Sequence, residues 1–503
     1  MHKRQVVTNA LMAGLQVLVS GVALFVLYRY FLNTIGADLF GVWSVVLATT
    51  AVGGVAKAGL HGSMTKFVAQ YRARNDDAHA ARIVQTAALT IIVVVGVIAV
   101  ILSFILPSLL VFVIKEPHLH TPALEILPYA LLSFWLTALS SIYQSSIDGM
   151  QRVDLQNLLV MLTTILYVGL CFYFVPRNGL VGLARAQVIQ NIVLLLLSMG
   201  MMTRLLTPLP PIPLRWSWSA LKEVFVYSVN FQLLSISQML FMPMTKMILA
   251  RLGGAGSVAF YEMANKMAFQ IRSLISMGHQ ALVPTIADLT ERAPEQLRLL
   301  YASSMQTMVF FIIALLPPLL YLLPTISIIW IGYYEPVFVH YGIFLLTGWF
   351  LNLLVNPAYF NNMGTGHLKW NVIGHFVTVG ANLGLGILLG LLMGPIGVII
   401  GFAVSIQLGT LATTGAYHRH HTIRARSIIR KADVWFFFSA CMSVTVAWSV
   451  RQLTQPLWTF PWIDFLCLIT VVLVMLPAFL RHPMLPVLYE WLASLRPRPR
   501  LNP

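Results

Sequence analysis

Charged residues are scarce in this chain of 503 residues. Only 10% of the residues are charged and 58% are hydrophobic, a balance that excludes an ordinary soluble domain. The hydrophilic segments are short, so no separate soluble domain fits between the apolar runs. A Gly-rich loop ending in Lys-Ser or Lys-Thr is also absent, which excludes a nucleotide-hydrolysing engine within the chain.

Cysteine is nearly absent as well. Cys171, Cys441 and Cys467 fall in apolar runs without paired spacing, which excludes a disulfide framework and a cysteine metal site. Strand-type alternation of polar and apolar residues is missing too. We therefore predict helices only, no metal and no cofactor.

The chain is rich instead in apolar runs long enough to cross a bilayer of ~30 Å. Backbone groups in lipid must be satisfied within each segment, so the runs are predicted to be helices. The predicted class is an all-α polytopic membrane protein with about fourteen transmembrane helices. The runs are 6–32, 39–60, 83–106, 123–147, 155–175, 179–203, 223–247, 256–282, 304–326, 341–363, 369–393, 396–418, 434–450 and 462–480.

Acidic residues are half as numerous as basic ones, 16 against 32, which leaves a net charge of +16. If both termini are cytosolic, the inner segments hold 22 Lys or Arg and the outer loops four: Lys115, Arg177, Arg251 and Arg451. This asymmetry follows the positive-inside rule. It predicts that both termini are cytosolic and that the basic loops face lipid headgroups rather than nucleic acid.

The second part of the chain also repeats landmarks of the first. Gly36 recurs as Gly254 and Gly149 recurs as Gly366, at offsets of 218 and 217. The stretch that begins at Gly179 recurs at Gly394, at an offset of 215. Three landmarks in one order at nearly one spacing predict two similar halves, a common plan in transporters.

The repeat predicts the domain organisation. Helices 1–6 and 7–12 would form two six-helix bundles, and helices 13 and 14 have no counterpart. The predicted segments are an N-terminal bundle at 1–203, a cytosolic linker at 204–222, a C-terminal bundle at 223–418, a basic cytosolic loop at 419–433, helices 13–14 at 434–480 and a basic cytosolic tail at 481–503.

Charges inside the apolar runs point to a functional site, because a charge at the bilayer centre costs at least ~2.5–3.5 kcal/mol and usually faces a cavity. Arg29 in helix 1 and Lys246 in helix 7 are related by an offset of 217. Lys57 in helix 2 and Arg272 in helix 8 are related by an offset of 215. The two halves would thus place cations at similar depths.

Helix 8 carries the strongest pattern. At 100° per residue, one arc of ~160° holds all its strongly polar side chains, so this face must meet protein or water: Glu262, Asn265, Lys266, Gln270 and Arg272. A ladder of cations in a water-filled groove suits an anionic cargo such as a phosphate. Glu262 is the candidate for ion coupling or for an ion pair with Lys266.

Other interpretations stay open at several positions. Arg29, Lys246, Lys57 and Arg272 could reach the headgroups along their aliphatic stems. Arg185, His61 and His279 form a second group of candidates, and interfacial or packing roles explain them as well.

Two stretches resemble a known family: residues 36–44 (GADLFGVWS) and 59–69 (GLHGSMTKFVA). They resemble the start of the Wzx-like O-antigen and exopolysaccharide flippases of the MOP transporter superfamily. The resemblance implies two six-helix bundles in a V around a cationic cavity lined by helices 1, 2, 7 and 8. It implies alternating access that carries undecaprenyl-pyrophosphate-linked oligosaccharide across the bacterial inner membrane.

The resemblance also implies partners: the lipid-linked cargo, membrane lipids, and a polysaccharide polymerase or chain-length regulator. In one respect this chain differs, because many relatives have an acidic residue where it has Lys57. Cation coupling through that position is therefore not expected. The alternatives are a lipid II flippase, a multidrug antiporter, and a polytopic glycosyltransferase or O-antigen ligase. An enzyme is disfavoured, because the longest outer loop is too short to hold an active site.

Overall fold

A computed structural model describes residues 3–51, 60–280, 282–423, 430–454 and 462–486. Throughout these residues the regular structure is helical, and nine helices are long and apolar enough to cross a membrane. The prediction of an all-α polytopic membrane protein is therefore confirmed. The helices are α1 (Lys3–Thr34), α2 (Gly36–Ala51), α3 (Leu60–Ala73), α4 (Asp77–Val113), α5 (His120–Gly149), α6 (Val153–Leu205), α7 (Trp218–Gln280), α8 (Val283–Arg292), α9 (Pro294–Ile331), α10 (Pro336–Leu351), α11 (Asn356–Gly364), α12 (Lys369–Met393), α13 (Pro395–His420), α14 (Lys431–Thr454) and α15 (Trp462–Leu480).

Two of these helices are too long for a single span. About 20 residues cross a bilayer, whereas α6 has 53 residues and α7 has 63. Each contains one glycine with non-helical backbone angles: Gly179 in α6 (φ 52°, ψ −129°) and Gly254 in α7 (φ 79°, ψ 167°). Each therefore holds two spans, and the fourteen predicted runs fall on helix over nearly all of their described residues. We name the two parts of α7 α7a (218–253) and α7b (255–280).

The helices are longer than the apolar runs predicted, because their polar ends do not belong to those runs. Helix α8 was not predicted, and α9 begins at Pro294 rather than at residue 304. The reason is that α8 is amphipathic: Ile286 is buried, whereas Asp288 and Arg292 are exposed and form an i,i+4 ion pair at 2.9 Å. A search for long apolar runs does not detect such a helix.

The backbone bears out the repeat that the glycines predicted. Positive φ angles occur at Gly36 (83°) and at its counterpart Gly254 (79°). They occur also at Gly179 (52°) and at its counterpart Gly394 (67°). Because an L side chain rarely adopts this conformation, glycine is the residue expected at each turn.

The same repeat appears in the packing of two further glycines. A Cβ atom on Gly149 would lie 2.8 Å from the Thr65 carbonyl oxygen and 2.8 Å from Val68 Cβ. The sequence pattern matched Gly149 with Gly366. The glycine that packs in the same way in the second half is instead Gly364, which packs against Ile286. Ile286 thus takes the place of Val68, and α8 is the second-half counterpart of the end of α3.

A third pair of glycines lies just after the kinks. A Cβ atom on Gly182 would overlap the carbonyl oxygen of Phe174, and one on Gly397 would overlap that of Leu389. In each half the contacted carbonyl belongs to a residue on the other side of the kink, and it precedes the glycine by the same number of positions. Each kink is thus closed by the same backbone contact in the two halves.

The chain forms two compact units, Met1–Met263 with Asn382–Val398, and Ala264–Ala381 with Ile399–Pro503. The first contains an apolar core between α3, α4, α5 and α6 that includes Phe67, Ile91 and Ile142. In the second, Phe310 of α9 and Phe436 of α14 stack in a core with α15. The predicted halves at 1–203 and 223–418 remain a prediction from the repeat.

Helices α14 and α15, which have no counterpart in the first half, are joined at both ends by buried charges. His482 Nε2 lies 2.9 Å from Asp433 Oδ1, and both side chains are almost fully buried. Arg451 Nε lies 3.3 Å from the buried carboxylate of Asp464. These pairs hold the two helices in register beside α9.

Candidate functional site

Helix α7b carries most of the predicted site, and its start is packed tightly against α2. A Cβ atom on Gly41 would overlap the carbonyl oxygen of Ala255, the first residue of α7b. Glycine at position 41 therefore lets the two backbones touch. This contact fixes the start of α7b against α2.

Two carboxylates also lie at the first turn of α7b. A Cβ atom on Gly256 would be 2.7 Å from Asp38 Oδ1, and one on Gly254 would overlap the Glu116 carboxylate. The N-terminus of a helix carries a partial positive charge, which favours carboxylates there. Asp38 begins α2 and Glu116 follows α4, so three segments of the first unit meet at this point.

Glu262, two turns into α7b, forms a buried ion pair. Its Oε2 atom lies 2.7 Å from Lys246 Nζ, and the two side chains are only 9% and 13% exposed. The Tyr28 hydroxyl donates a hydrogen bond of 3.3 Å to Oε1 of the same carboxylate. The Glu262 carboxylate thus joins α1, α7a and α7b.

The ion pair gives Glu262 a partner that the sequence did not suggest. The sequence suggested Lys266, one helical turn away, as a partner, and that pairing stays a prediction; the structure places Lys246, on the other side of the Gly254 kink, beside the carboxylate. The kink turns the chain back, so that residues on either side of it meet. Lys266 itself is half-buried.

In the second unit, Asn265 and Arg272 of α7b contact residues of α10 and the 3₁₀ turn that follows it. The Trp349 indole donates a hydrogen bond of 2.8 Å to Asn265 Oδ1. Arg272 Nε donates one of 3.1 Å to Asn352 Oδ1, and its guanidinium lies 5.1 Å above the Trp349 ring. Arg272 is therefore fixed by an amide and an aromatic face.

The polar network continues away from α7b. Asn352 Nδ2 donates to Thr410 Oγ1 of α13 at 2.7 Å. Asn356 Nδ2 donates to Ser276 Oγ of α7b at 2.9 Å. Because Asn352 both accepts from Arg272 and donates to Thr410, it links three helical segments. Its amide pairs with the cation without placing a second charge in the membrane.

Sequence reasoning missed Tyr28, Trp349, Asn352 and Asn356. A signal was present for three of them, because positions 349, 352 and 356 have the i, i+3, i+7 spacing of one helix face. Tyr28 had no such signal, since a tyrosine in an apolar helix is common.

The other predicted residues lie in varied surroundings. Arg29 and Arg185 are exposed on the protein surface, Gln270 is half-buried and His279 is buried. Lys57 lies outside the described residues, as does the side chain of His61. The structure thus gives specific partners to Glu262, Lys246, Asn265 and Arg272.

Asparagines elsewhere in the second half serve helix packing. Asn362 donates to Asn371 at 2.9 Å, and Asn382 donates to Thr245 at 2.8 Å and to the carbonyl of Phe241 at 3.1 Å. Such interhelical hydrogen bonds stabilise helix contacts in lipid.

Comparisons with known proteins give a family and a fold. The sequence model of the polysaccharide biosynthesis protein family matches residues 6–290, more than half of the chain. No curated protein matches significantly. The solved lipid II flippase MurJ, in an inward closed conformation, superposes with a TM-score of 0.71 at 12% identity, over 97% of this chain and 100% of that one.

Two other solved structures have the same fold. An inward-facing multidrug resistance MATE family transporter of the MOP superfamily matches with a TM-score of 0.63 at 18% identity, over 81% of this chain and 94% of that one. A MOP superfamily transporter from Pyrococcus furiosus, described as having a binding pocket of reverse polarity, matches with a TM-score of 0.58 at 15% identity, over 82% and 95%. The fold is therefore that of MOP-superfamily transporters.

Proposed function

The chain belongs to the polysaccharide biosynthesis protein family, and from this premise we propose that it is a flippase for undecaprenyl-pyrophosphate-linked oligosaccharide. It carries this cargo from the cytosolic to the periplasmic leaflet of the bacterial inner membrane by alternating access. Both termini are cytosolic in this proposal. A polysaccharide polymerase or chain-length regulator would take the cargo afterwards.

The observation that supports this function best is the buried Lys246–Glu262 ion pair. A pyrophosphate carries the same kind of anionic oxygen as the Glu262 carboxylate, and it binds an ammonium by the same charge-assisted hydrogen bonds. The cargo can therefore replace Glu262 as the partner of Lys246. In the unloaded protein, Glu262 keeps Lys246 neutralised, which lowers the cost of its charge in the membrane.

Arg272, in the second unit, is by itself a candidate for binding an anion. Its Nε atom is taken by Asn352, which leaves the two terminal nitrogens of the guanidinium as donors for an anion. Because Asn352 and Trp349 fix the orientation of the side chain, these donors need little further ordering when the anion arrives. Preorganised donors bind with a smaller loss of conformational entropy.

The proposal is tested by flipping in proteoliposomes. Purified protein is reconstituted with undecaprenyl-pyrophosphate oligosaccharide, and a membrane-impermeant sugar-modifying enzyme reports the cargo that reaches the other leaflet. We expect Lys246→Met to reduce the flipping rate at least ~10-fold, the loss of one charge-assisted contact of about 1.5–3 kcal/mol. Arg204→Met, which removes an exposed cation that lies outside the predicted site at the end of α6, is the matched control.

Separate arms examine the alternatives. Lipid II replaces the oligosaccharide lipid in one set of vesicles, and efflux of a cationic dye is followed in another. Dye efflux or lipid II flipping without movement of the oligosaccharide lipid would reject the proposed cargo. A wild-type rate in Lys246→Met would reject the role of the ion pair, even if the cargo is correct.

A further inference from the structure

The segment between α6 and α7 is an extended strap with an apolar exposed face. We define the strap as residues 211–217, which precede Trp218 at the start of α7. Every second side chain is large, apolar and exposed: Ile212 (65%), Leu214 (78%), Trp216 (52%) and Trp218 (67%). Side chains two residues apart lie on one face of an extended chain. An apolar face of this kind is stable only against another apolar surface.

The strap is held in place by side chains of α4. Gln85 Oε1 accepts hydrogen bonds from the backbone N–H groups of Leu214 and Arg215, at 3.4 and 3.2 Å. Thr86 Oγ1 accepts one from the Ser217 N–H at 3.2 Å. Gln85 and Thr86 are buried, so the strap is a built feature of the fold and its exposed face has a defined direction.

Next to the strap, α4 and the start of α7 form a narrow groove. It is lined by Ile83, Thr86, Ala87, Thr90, Ala220, Leu221 and Val224. The lining is nearly all apolar, and the Trp216 indole donates to Thr90 Oγ1 at 3.3 Å beside it. The groove lies beside the strap at Trp216, and its lining adds to the apolar surface of this region.

Exposed cations surround the same place. Arg82 lies one turn before Gln85 on α4, Arg215 is in the strap, and Lys222 follows the groove residue Leu221. Within the described part of the chain, no carboxylate lies within ion-pair distance of these three side chains. The neighbouring carboxylate, Glu223, is instead hydrogen-bonded to Tyr71 at 2.6 Å and lies 3.5 Å from His79.

We propose that the strap, α4 and the start of α7 form a binding site for an anionic phospholipid of the surrounding bilayer. The phosphate lies among Arg82, Arg215 and Lys222, and one acyl chain lies along the apolar face of the strap. Paired tryptophans, with ring centroids 5.9 Å apart, suit the boundary between headgroups and acyl chains. This site is distinct from the Lys246–Glu262 pair and does not depend on the cargo.

The proposal is tested by native mass spectrometry of the purified full chain with dioleoyl-phosphatidylglycerol or dioleoyl-phosphatidylcholine. Cations near a lipid surface each contribute roughly a fivefold factor in affinity. We expect the triple variant Arg82→Gln, Arg215→Gln, Lys222→Gln to bind phosphatidylglycerol at least ~10-fold more weakly, with phosphatidylcholine unchanged. The matched control removes three exposed cations elsewhere, Arg292→Gln, Arg298→Gln and Lys369→Gln, and should change binding less than about twofold.

A second variant keeps every cation and loosens the strap. Gln85→Ala removes the acceptor for two strap N–H groups and should weaken phosphatidylglycerol binding several-fold. Equal losses in the triple variant and its control, or no loss in either, would overturn the proposal. Displacement of the lipid by an equal concentration of soluble glycerol 3-phosphate would also overturn it, because the site would then bind a headgroup alone.

Discussion

The two halves of the repeat share a backbone but use it for different chemistry. Helix α5 in the first half and the α10–α11 segment in the second are related by an offset of 215. Trp349, Asn352 and Asn356 therefore correspond to Phe134, Thr137 and Ser141. Phe134 lies in an apolar core, whereas the Trp349 indole donates to Asn265.

The two first-half hydroxyl groups at these positions, those of Thr137 and Ser141, bond within their own helix. Thr137 donates to the carbonyl of Ser133 and Ser141 to that of Ala138, both at 2.7 Å. The amides of Asn352 and Asn356 in the second half reach other helices, at Thr410 and Ser276. A short hydroxyl is satisfied by the nearest carbonyl of its own helix, whereas a longer amide spans the gap between helices. The first half is thus an apolar scaffold here, and the second half holds a cation.

The largest effect on the free energy of unfolding is expected at the position where the two halves differ in the burial of a charged side chain. Lys246 is paired and largely buried, with 13% of its side chain exposed, whereas its counterpart in the first half, Arg29, is exposed. Lys246→Met removes the ammonium that lies 2.7 Å from the Glu262 carboxylate and should lower the free energy of unfolding by about 3–5 kcal/mol. Arg29→Met should lower it by less than ~1 kcal/mol. Thermal unfolding in detergent measures both.

A double variant separates folding from transport. Lys246→Met with Glu262→Leu removes both charges, and it should recover most of the stability but not the flipping rate. Equal stabilities of the Lys246→Met and Arg29→Met proteins would show that the ion pair contributes nothing.

The next effect concerns the amide that holds Arg272. Asn352→Ala removes the acceptor for a half-buried guanidinium and should cost about 1.5–3 kcal/mol of stability. Thr137→Ala, at the matching position of the first half, removes only a bond within its own helix and should cost less than ~0.5 kcal/mol. The comparison fails if the two alanine variants unfold at the same denaturant concentration.

Substitutions at the two kinks should destabilise the two halves by similar amounts. Gly182→Ala and Gly397→Ala both place a Cβ atom on a carbonyl oxygen from the other side of the kink. Each should be destabilised by about 1–3 kcal/mol, the usual range for overpacking. Gly169→Ala, where nothing lies within 4 Å of the new atom, is the control. A large difference between the two kink variants would show that only one of the close contacts is rigid.

The smallest effect is expected at the turn after α5 and at the matching turn after α11. Gln151 has φ 61° in the first half, and Gly366 has φ 79° in the second. A non-glycine residue pays roughly 1–2 kcal/mol in this region. Gln151→Gly should therefore raise the free energy of unfolding by up to about 1 kcal/mol, and Gly366→Gln should lower it by a similar amount. Chemical denaturation resolves the sign, and stabilisation by Gly366→Gln would contradict the proposed strain.

Prediction from the sequence succeeded where the cause is local. The glycines at 36, 179, 254 and 394 marked the breaks between helices correctly, because positive φ angles favour that residue. Prediction failed for α8, whose single buried side chain, Ile286, forms no apolar run. It also did not find Lys246 as a partner of Glu262, since the direction in which the Gly254 kink turns the chain is not encoded in spacing.

The sequence by itself determined the membrane class, the helical spans, the repeat and the presence of cations in the spans. Composition, run length and glycine positions act over a few residues, so these properties can be read without a structure. Only the tertiary structure decided the partners: Lys246 for Glu262, Asn352 for Arg272, and Gln85 for the strap. The physical reason is that a hydrogen bond or ion pair depends on distances of about 3 Å, and helix packing sets those distances.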